Sequence, residues 1–274
     1  TFSLAPDKAI AVILGAYVGS VTGGSRSAIL VNIPGTPAQA AVCLDGYPLA
    51  QQGKAAQAIG LSVTASTIGT LLGFLCLALF TPLIGTAALS FGTYEFFWLA
   101  VFGVIIAGSL CAPKDPIKGW ISGFLGLVLM TVGDDNIHAV DRFTFHLSAL
   151  SGGFALIPVL IGAYGIPEVL DSLRKKQHIQ IQTEVGRVVP RLFEVLQHKW
   201  VILRSALIGI VIGIIPGVGS DTASWLSYFT AKKSSKTPEL FGHGSLEGFV
   251  AAEAGDNACN GGDIIPTLTP ASPG

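Results

Sequence analysis

Charge is what this sequence has least of. Asp, Glu, Lys and Arg make up 12% of its 274 residues, against 50% hydrophobic residues, and the mean hydropathy is +0.63. Soluble domains carry about 25% charged residues, so a large soluble α/β protein is the poorer reading. The net charge of −1 gives no reason to expect a nucleic-acid partner. Cysteines stand at 43, 76, 111 and 259 with no C-x-x-C pair, and read as small apolar residues rather than metal ligands or a disulfide framework. Histidines 138, 146, 178, 198 and 243 make no H-E-x-x-H spacing, so no transition-metal site is expected. There is no Walker A sequence to support an ATP-driven engine and no G-x-S-x-G elbow to support a hydrolase. Gly217-Val-Gly219 looks like the start of a dinucleotide fingerprint, but position 222 is Thr and no alternating strand precedes it.

What is present is long uncharged sequence. Residues Ala55–Tyr94, Phe96–Pro113 and Phe143–Pro167 contain no Asp, Glu, Lys or Arg. Apolar runs of about 18 residues or more read as membrane-spanning helices. The 34 glycines and 15 prolines exceed what simple bundle helices use, and suit membrane helices that pack closely or are broken. The fold expected is an all-α polytopic membrane protein: a helix bundle with broken or re-entrant helices and an internal pseudo-repeat. With no initiating Met, no signal peptide and a Pro-Gly ending, the chain reads as a piece of a longer membrane protein, cut at both ends.

In chain order, apolar segments at Ile10–Val21 and Ala28–Ile33 precede a polar loop holding Asp45-Gly46-Tyr47-Pro48 and Gly53-Lys54. A helix is expected at about Gln57–Phe80, with Gly69-x-x-x-Gly73 as a close-approach surface, and a turn at Pro82–Gly92. Helices follow at Tyr94–Leu110, with Tyr94 and Trp98 at interfacial level, and at Gly119–Val132, starting as early as Ile117. Asp134–Ser151 reads as a polar loop, and Gly153–Leu170 as a helix interrupted by Pro158 and Pro167. After Pro190, Leu192, Phe193, Leu196 and Trp200 share one face, as in an interfacial amphipathic helix or an ordinary linker helix. The expected organisation is one transmembrane transporter domain over residues 1–274. Within it, 1–56 ends a first repeat, 171–200 is a cytoplasmic linker and 201–274 forms a second repeat.

Lys and Arg set the orientation. With one crossing per long segment, one side receives Lys54, Lys114, Lys118, Arg174, Lys175, Lys176, Arg187, Arg191 and Lys199, and the other only Arg142. The positive-inside rule makes the first side cytoplasmic. Lys232, Lys233 and Lys236 stay on it if residues 201–230 turn back at Pro216-Gly217-Val218-Gly219. A re-entrant hairpin with its tip near Gly217–Asp221 is therefore expected, a straight crossing being the alternative.

Three Pro-Gly breaks punctuate the apolar sequence: Gly23–Pro37, Ile215–Gly219 and Gly261–Gly274. At membrane depth, such breaks expose amides that attract carboxylates and carbonyls that bind Na⁺. Candidate substrate-binding residues are Asn32, Pro34, Gly35 and Thr36 at the first break, and Gly217, Gly219, Ser220 and Thr222 at the second. Asn257 and Asn260 join them from an Ala/Gly-rich stretch that also holds Glu253 and Asp256, where they face a polar cavity or bind helices together. Asp221 and Gly217 are candidates for a cation; Asp221 alternatively caps the following helix. Arg26 is either a counter-ion for an anionic substrate or a surface group. The bland alternative for every break is a helix end in a loop.

At these same residues the chain resembles the large membrane subunit of the tripartite tricarboxylate transporter (TctA) family. The similarity rests on Asn32-Ile-Pro-Gly-Thr-Pro, Asp45-Gly-Tyr-Pro-Leu-Ala-x-x-Gly53-Lys54-Ala, Arg142-Phe-Thr-Phe145, Ile166-Pro-Glu-Val-Leu170, Ile215-Pro-Gly-Val-Gly219 and Glu253–Gly262, and covers nearly the whole chain. The family's partner to Pro216–Gly219 would lie before Thr1. The chain departs from the pattern at Ala252 (usually Pro), at Asp256-Asn257 (usually Asn-Asn) and at Pro270–Gly274. The resemblance implies uptake of tri- or dicarboxylates across the bacterial inner membrane, driven by Na⁺ or H⁺. It implies two partners, a small TctB-like membrane subunit and a periplasmic TctC-like solute-binding protein. The alternatives are a membrane-embedded enzyme, for which no acid/base or nucleophile set is spaced convincingly, and a structural subunit without its own pathway.

Overall fold

A computed structural model describes residues 5–88, 92–111, 115–135, 138, 140–175, 189–190, 192–215 and 218–268. The described chain is almost entirely helical, with one two-stranded ladder, and divides into two units: residues 1–100 with 179–274, and residues 101–178.

The first unit is organised around one helix, α11 (Leu246–Leu268), whose residues 249–262 are all buried. Packed on it are α1 (Pro6–Val31), α2 (Ala40–Leu49), α3 (Ala55–Ala88), α9 (Lys199–Ile214) and α10 (Gly219–Ser234). The side-chain pairings give the directions: α3 and α9 run parallel to α11, while α1 and α10 run antiparallel to it. Small residues allow the approach. A Cβ on Gly69 would sit 2.7 Å from the Ala254 carbonyl oxygen, and Gly73 lies against Ala258 and Gly261. Gly209 and Gly213 of α9 meet Gly255, Cys259 and Gly262 in the same way. The Gly69-x-x-x-Gly73 surface expected from sequence is thus one of two such seams on neighbouring faces of α11.

The distribution of polarity is inverted. Leu71 and Leu79 of α3 are each 64% exposed, and Leu207 of α9 is 63% exposed, whereas Glu253, Asp256, Asn257 and Asn260 have no exposure at all. A water-soluble fold rarely buries carboxylates and amides while presenting leucine stripes outward. A bilayer reverses that preference, and two helical segments, Lys8–Val31 and Pro37–Thr81, are long and apolar enough to cross one.

Several local expectations are corrected. The segments before and after Gly23-Gly24 form one helix, α1, which ends only at Asn32 (φ 56°). The residues expected as a polar loop are helical: α2 holds Asp45, and a wider turn over Ala50–Lys54 leads into α3, with Gly53 (φ 78°) taking up the kink. Burial of the Asp45 carboxylate against backbone amides overrides the loop signal of Asp-Gly and Pro. The α3 backbone also continues through Pro82 to Ala88 instead of turning there. The helix after Pro190 is short, α8 (Leu192–Gln197), and Trp200 belongs to α9; Phe193, Leu196 and Trp200 are all exposed. Most of the expected linker at 171–200 and the last break from Thr269 onward lie outside the described residues.

The second unit begins within α4 (Thr93–Cys111) and contains α5 (Pro116–Met130), the ladder of β1 (Gly133–Asp134) with β2 (Asp141–Arg142), α6 (Leu156–Leu160), a wider turn at Ile161–Gly165 and α7 (Ile166–Lys175). Gly108 lets the Trp120 ring of α5 close on α4, where its Nε1–H donates to Ser109 Oγ at 3.1 Å. Ile121, Phe124, Leu125 and Val128 of α5 are exposed, again an apolar outward face.

Candidate functional site

The first Pro-Gly break and the start of α10 lie together. After Asn32 the chain turns back on α1, so that a Cβ on Gly24 would sit 3.0 Å from the Gly35 Cα. Gln39, fully buried, fixes this turn: its Oε1 accepts the Thr36 N–H at 3.0 Å, and its Nε2 donates to the Val21 carbonyl. A short 3₁₀ turn, Pro37–Gln39, then opens α2 and packs on α10, which begins at the second break. Asp221, in the first turn of α10, lies within reach of the Ala38 N–H dipole. Both helix starts therefore present first-turn amides within one region, and an anionic side chain already occupies part of it.

The α9–α10 pair is an antiparallel hairpin. Arg204 NH1 donates to Ser234 Oγ at 2.5 Å and Ser227 Oγ donates to the Ser205 carbonyl at 3.4 Å, so the chain reverses between Ile214 and Gly219. Gly219 takes φ 74° at the turn, a conformation that favours glycine. Pro216 and Gly217 lie outside the described residues.

Of the residues singled out from sequence, Pro34 is buried, Asn32 and Thr36 are partly buried and Gly35 is exposed. Gly219 and Ser220 are partly buried, Asp221 is exposed, and Thr222 is buried with its hydroxyl donating to the Val218 carbonyl at 3.2 Å. Arg26 is exposed, its guanidinium donating to the Thr22 carbonyl at 2.7 Å.

Asn257 and Asn260, three residues apart on α11, have different surroundings. The Asn257 amide is engaged on both sides: Nδ2 donates to Ser66 Oγ (2.9 Å) and to the Glu253 carbonyl (3.0 Å), and Oδ1 accepts from Thr22 Oγ1 (3.0 Å). Glu253 accepts from Ser62 Oγ at 2.8 Å and from Ser66 Oγ at 2.9 Å. This network ties α1, α3 and α11 together through polar groups that are all buried except the partly exposed Thr22. Neither polar atom of Asn260 has a hydrogen-bond partner, and neither has either oxygen of Asp256. Ser220, in the first turn of α10, is the neutral polar side chain that acts on the Asp256 carboxylate.

Sequence reading missed Gln39, Ser62, Ser66 and the buried role of Asp45. The signal available was Ser62-x-x-x-Ser66, two hydroxyls one turn apart in an otherwise apolar helix, opposite the Glu253 to Asn257 pair at the same spacing. Among the described residues, no three His, Cys, Asp or Glu side chains converge as a metal-binding group.

An apolar exterior over buried carboxylates and amides defines a helical membrane protein. The sequence model of the tripartite tricarboxylate transporter TctA family matches residues 1–274, and the chain belongs to that family. It is 33% identical over 272 residues to an "Uncharacterized 52.8 kDa protein in TAR-I ttuC' 3'region" of Agrobacterium vitis, covering 98% of this chain and 54% of that protein. It is 43% identical over 61 residues to an "Uncharacterized protein in TAR-II ttuC' 3'region" of the same organism, covering 22% of this chain and 25% of that protein. The chain thus spans about half the length of the first relative and a quarter of the second. No solved structure matches.

Proposed function

We propose that this chain is the membrane-embedded part of a secondary carrier that takes up tri- or dicarboxylates across a bacterial inner membrane, coupled to a cation gradient. The observation that carries the reading is the packing of the start of α10, with Asp221 in its first turn, on the Pro37–Gln39 turn that follows the first break. A site that holds one carboxylate on helix-start amides has the chemistry to hold a substrate carboxylate. Substrate would exchange with Asp221 at Gly35, Thr36 and Ala38, and take further hydrogen bonds from the amides at Gly217 and Gly219 and from Thr222 and Asn32. Pro34 keeps the first break from closing into helix.

Each arm of the α9–α10 hairpin has 16 residues, a length of about 24 Å at 1.5 Å per residue against a hydrocarbon core of about 30 Å. That supports a hairpin entering and leaving on one side, with its tip inside the bilayer. The positive-inside pattern puts that side in the cytoplasm. The TctB-like and TctC-like partners belong to the same reading: a small membrane subunit beside the chain, and a periplasmic binding protein delivering the acid.

The test is uptake of labelled citrate and related acids into proteoliposomes holding the full-length protein with both partners, with and without a Na⁺ or proton gradient. Gradient-dependent accumulation is expected. Gradient-independent chemical conversion of the acid would replace the carrier with an enzyme, and no uptake with both partners present would leave a structural subunit.

A further inference from the structure

We propose that Asp256 and Asn260 of α11, closed by Ser220 at the start of α10, form a binding site for a dehydrated monovalent cation of the size of Na⁺. The inference rests on the carrier reading only for its role, not for its existence. Asp256 and Asn260 are four residues apart on one helix and so share a face. Both are fully buried, and all four of their side-chain polar atoms lack a hydrogen-bond partner among the described residues. Unpaired buried groups of this kind are rare, and a carboxylate without a counter-charge is the costliest of them. A single unsatisfied atom would be a local packing fault; four on adjacent turns, on both an acid and an amide, make a set of ligand atoms.

The sign of the ligand follows from the surroundings. The charged groups acting on Asp256 are Glu253, Asp221 and Asp263, all carboxylates. An anionic ligand has no place there, and a cation offsets the repulsion. The ligand atoms on offer are oxygens: the Asp256 carboxylate, Asn260 Oδ1 and the Ser220 hydroxyl. One carboxylate among neutral oxygens suits a singly charged hard cation. A divalent ion draws on more carboxylates or retained waters, and broken helices bind Na⁺ with neutral oxygens of this kind. A proton alone serves less well, because it neutralises Asp256 but leaves both polar atoms of Asn260 unpaired. The approach is along the same stripe of α11. Asp263, seven residues beyond Asp256, is only partly buried and receives the Tyr17 hydroxyl of α1 at 3.5 Å and the Cys259 thiol at 3.4 Å. It gives the stripe a polar outer end.

The experiment is cation-dependent thermal stability of the purified full-length protein, titrated with NaCl against KCl and choline chloride at constant ionic strength and pH, paired with equilibrium binding of ²²Na⁺. Binding to the folded state alone raises the melting temperature with ion concentration. The wild type is expected to show a saturable Na⁺-specific rise. Asp256→Asn removes it, and Asn260→Ala, which keeps the carboxylate, raises the half-saturating Na⁺ concentration at least about tenfold. Asn260→Ala decides the matter if Asp256→Asn does not fold. No Na⁺ response in the wild type, an unchanged half-saturation in Asn260→Ala, or a response lost in Asp221→Asn but kept in Asp256→Asn would each overturn the site. None of these readouts involves transport, so a failed uptake assay and a failed cation site remain separate results.

Discussion

Asp45 and Ser245, 200 residues apart in the chain, are joined by a 2.8 Å hydrogen bond from the Ser245 amide to Asp45 Oδ1. The same oxygen accepts the amides of Gly242 and Gly244, each at 2.8 Å. Both glycines have positive φ, 89° and 103°, which turns the three amides toward one point just ahead of α11. Asp45 thus fixes the entry of the central helix from within α2. Asp45→Ala leaves three inward amides without their acceptor and is expected to destabilise the fold by about 3 kcal/mol, while Asp45→Asn, which keeps an oxygen but loses the charge, costs less. Thermal melts of the two variants in detergent give the order; equal melting temperatures for Asp45→Ala and the wild type would remove the role.

The two glycine seams on α11 make a sharper contrast. Gly69 and Gly209 each face α11 backbone with no room for a side chain, whereas nothing lies within 4 Å of a Cβ built on Gly15. Gly69→Val and Gly209→Val are expected to abolish the monodisperse species in fluorescence-detected gel filtration, and Gly15→Ala to leave it intact. A helix gains slightly in propensity from that last exchange. A well-folded Gly209→Val protein would mean that α9 does not sit on α11 as described.

Asn257 and Asn260 differ in what surrounds them, and their alanine variants should differ too. Asn257 links Thr22, Ser66 and Glu253 across three helices. Its removal takes a hydrogen bond each from Thr22, Ser66 and the Glu253 carbonyl and loosens the α1–α3–α11 network, at an expected cost of about 2 kcal/mol. Asn260 has no protein partner to lose, so Asn260→Ala in K⁺ should melt within about 1 °C of the wild type or above it, because a desolvated amide has been removed. A large loss of stability for Asn260→Ala in K⁺ would show that its amide is bonded within the protein.

Much of this arrangement could be read from the residues alone. Long uncharged stretches gave the helices, Pro34-Gly35 gave the first break, and Gly69-x-x-x-Gly73 gave one packing seam. What was not legible depends on partners distant in sequence. Asp45-Gly46 carries the composition of a turn, and only the amides of residues 242–245, brought against it by the fold, make it a helical residue with a buried charge. Gly23-Gly24 looks like a stop; it remains helical because a helix without side chains at that point lets Gly35 return against it. Asn257 and Asn260 look equivalent by spacing, and only the positions of α1 and α3 separate the bonded amide from the unbonded one.

The hairpin reading of α9 and α10 makes a prediction about sidedness. Arg204 and Ser234 face each other at the open end of the pair, beside Lys232 and Lys233. If both arms enter from the cytoplasm, a cysteine introduced at Ser234 reacts with a membrane-impermeant maleimide in inside-out vesicles and not in intact cells whose outer membrane has been opened. A cysteine at Trp200, exposed near the start of α9, should react from that same side. A straight crossing would put positions 200 and 234 on opposite sides, so the pair is diagnostic where either position alone is not. Cys43 and Cys259 are buried and should add little background, so the assay can begin in the wild-type sequence with Cys76 and Cys111 replaced by Ser. Opposite labelling of the two positions would end the re-entrant hairpin; common labelling from outside would keep the hairpin and invert the orientation derived from Lys and Arg.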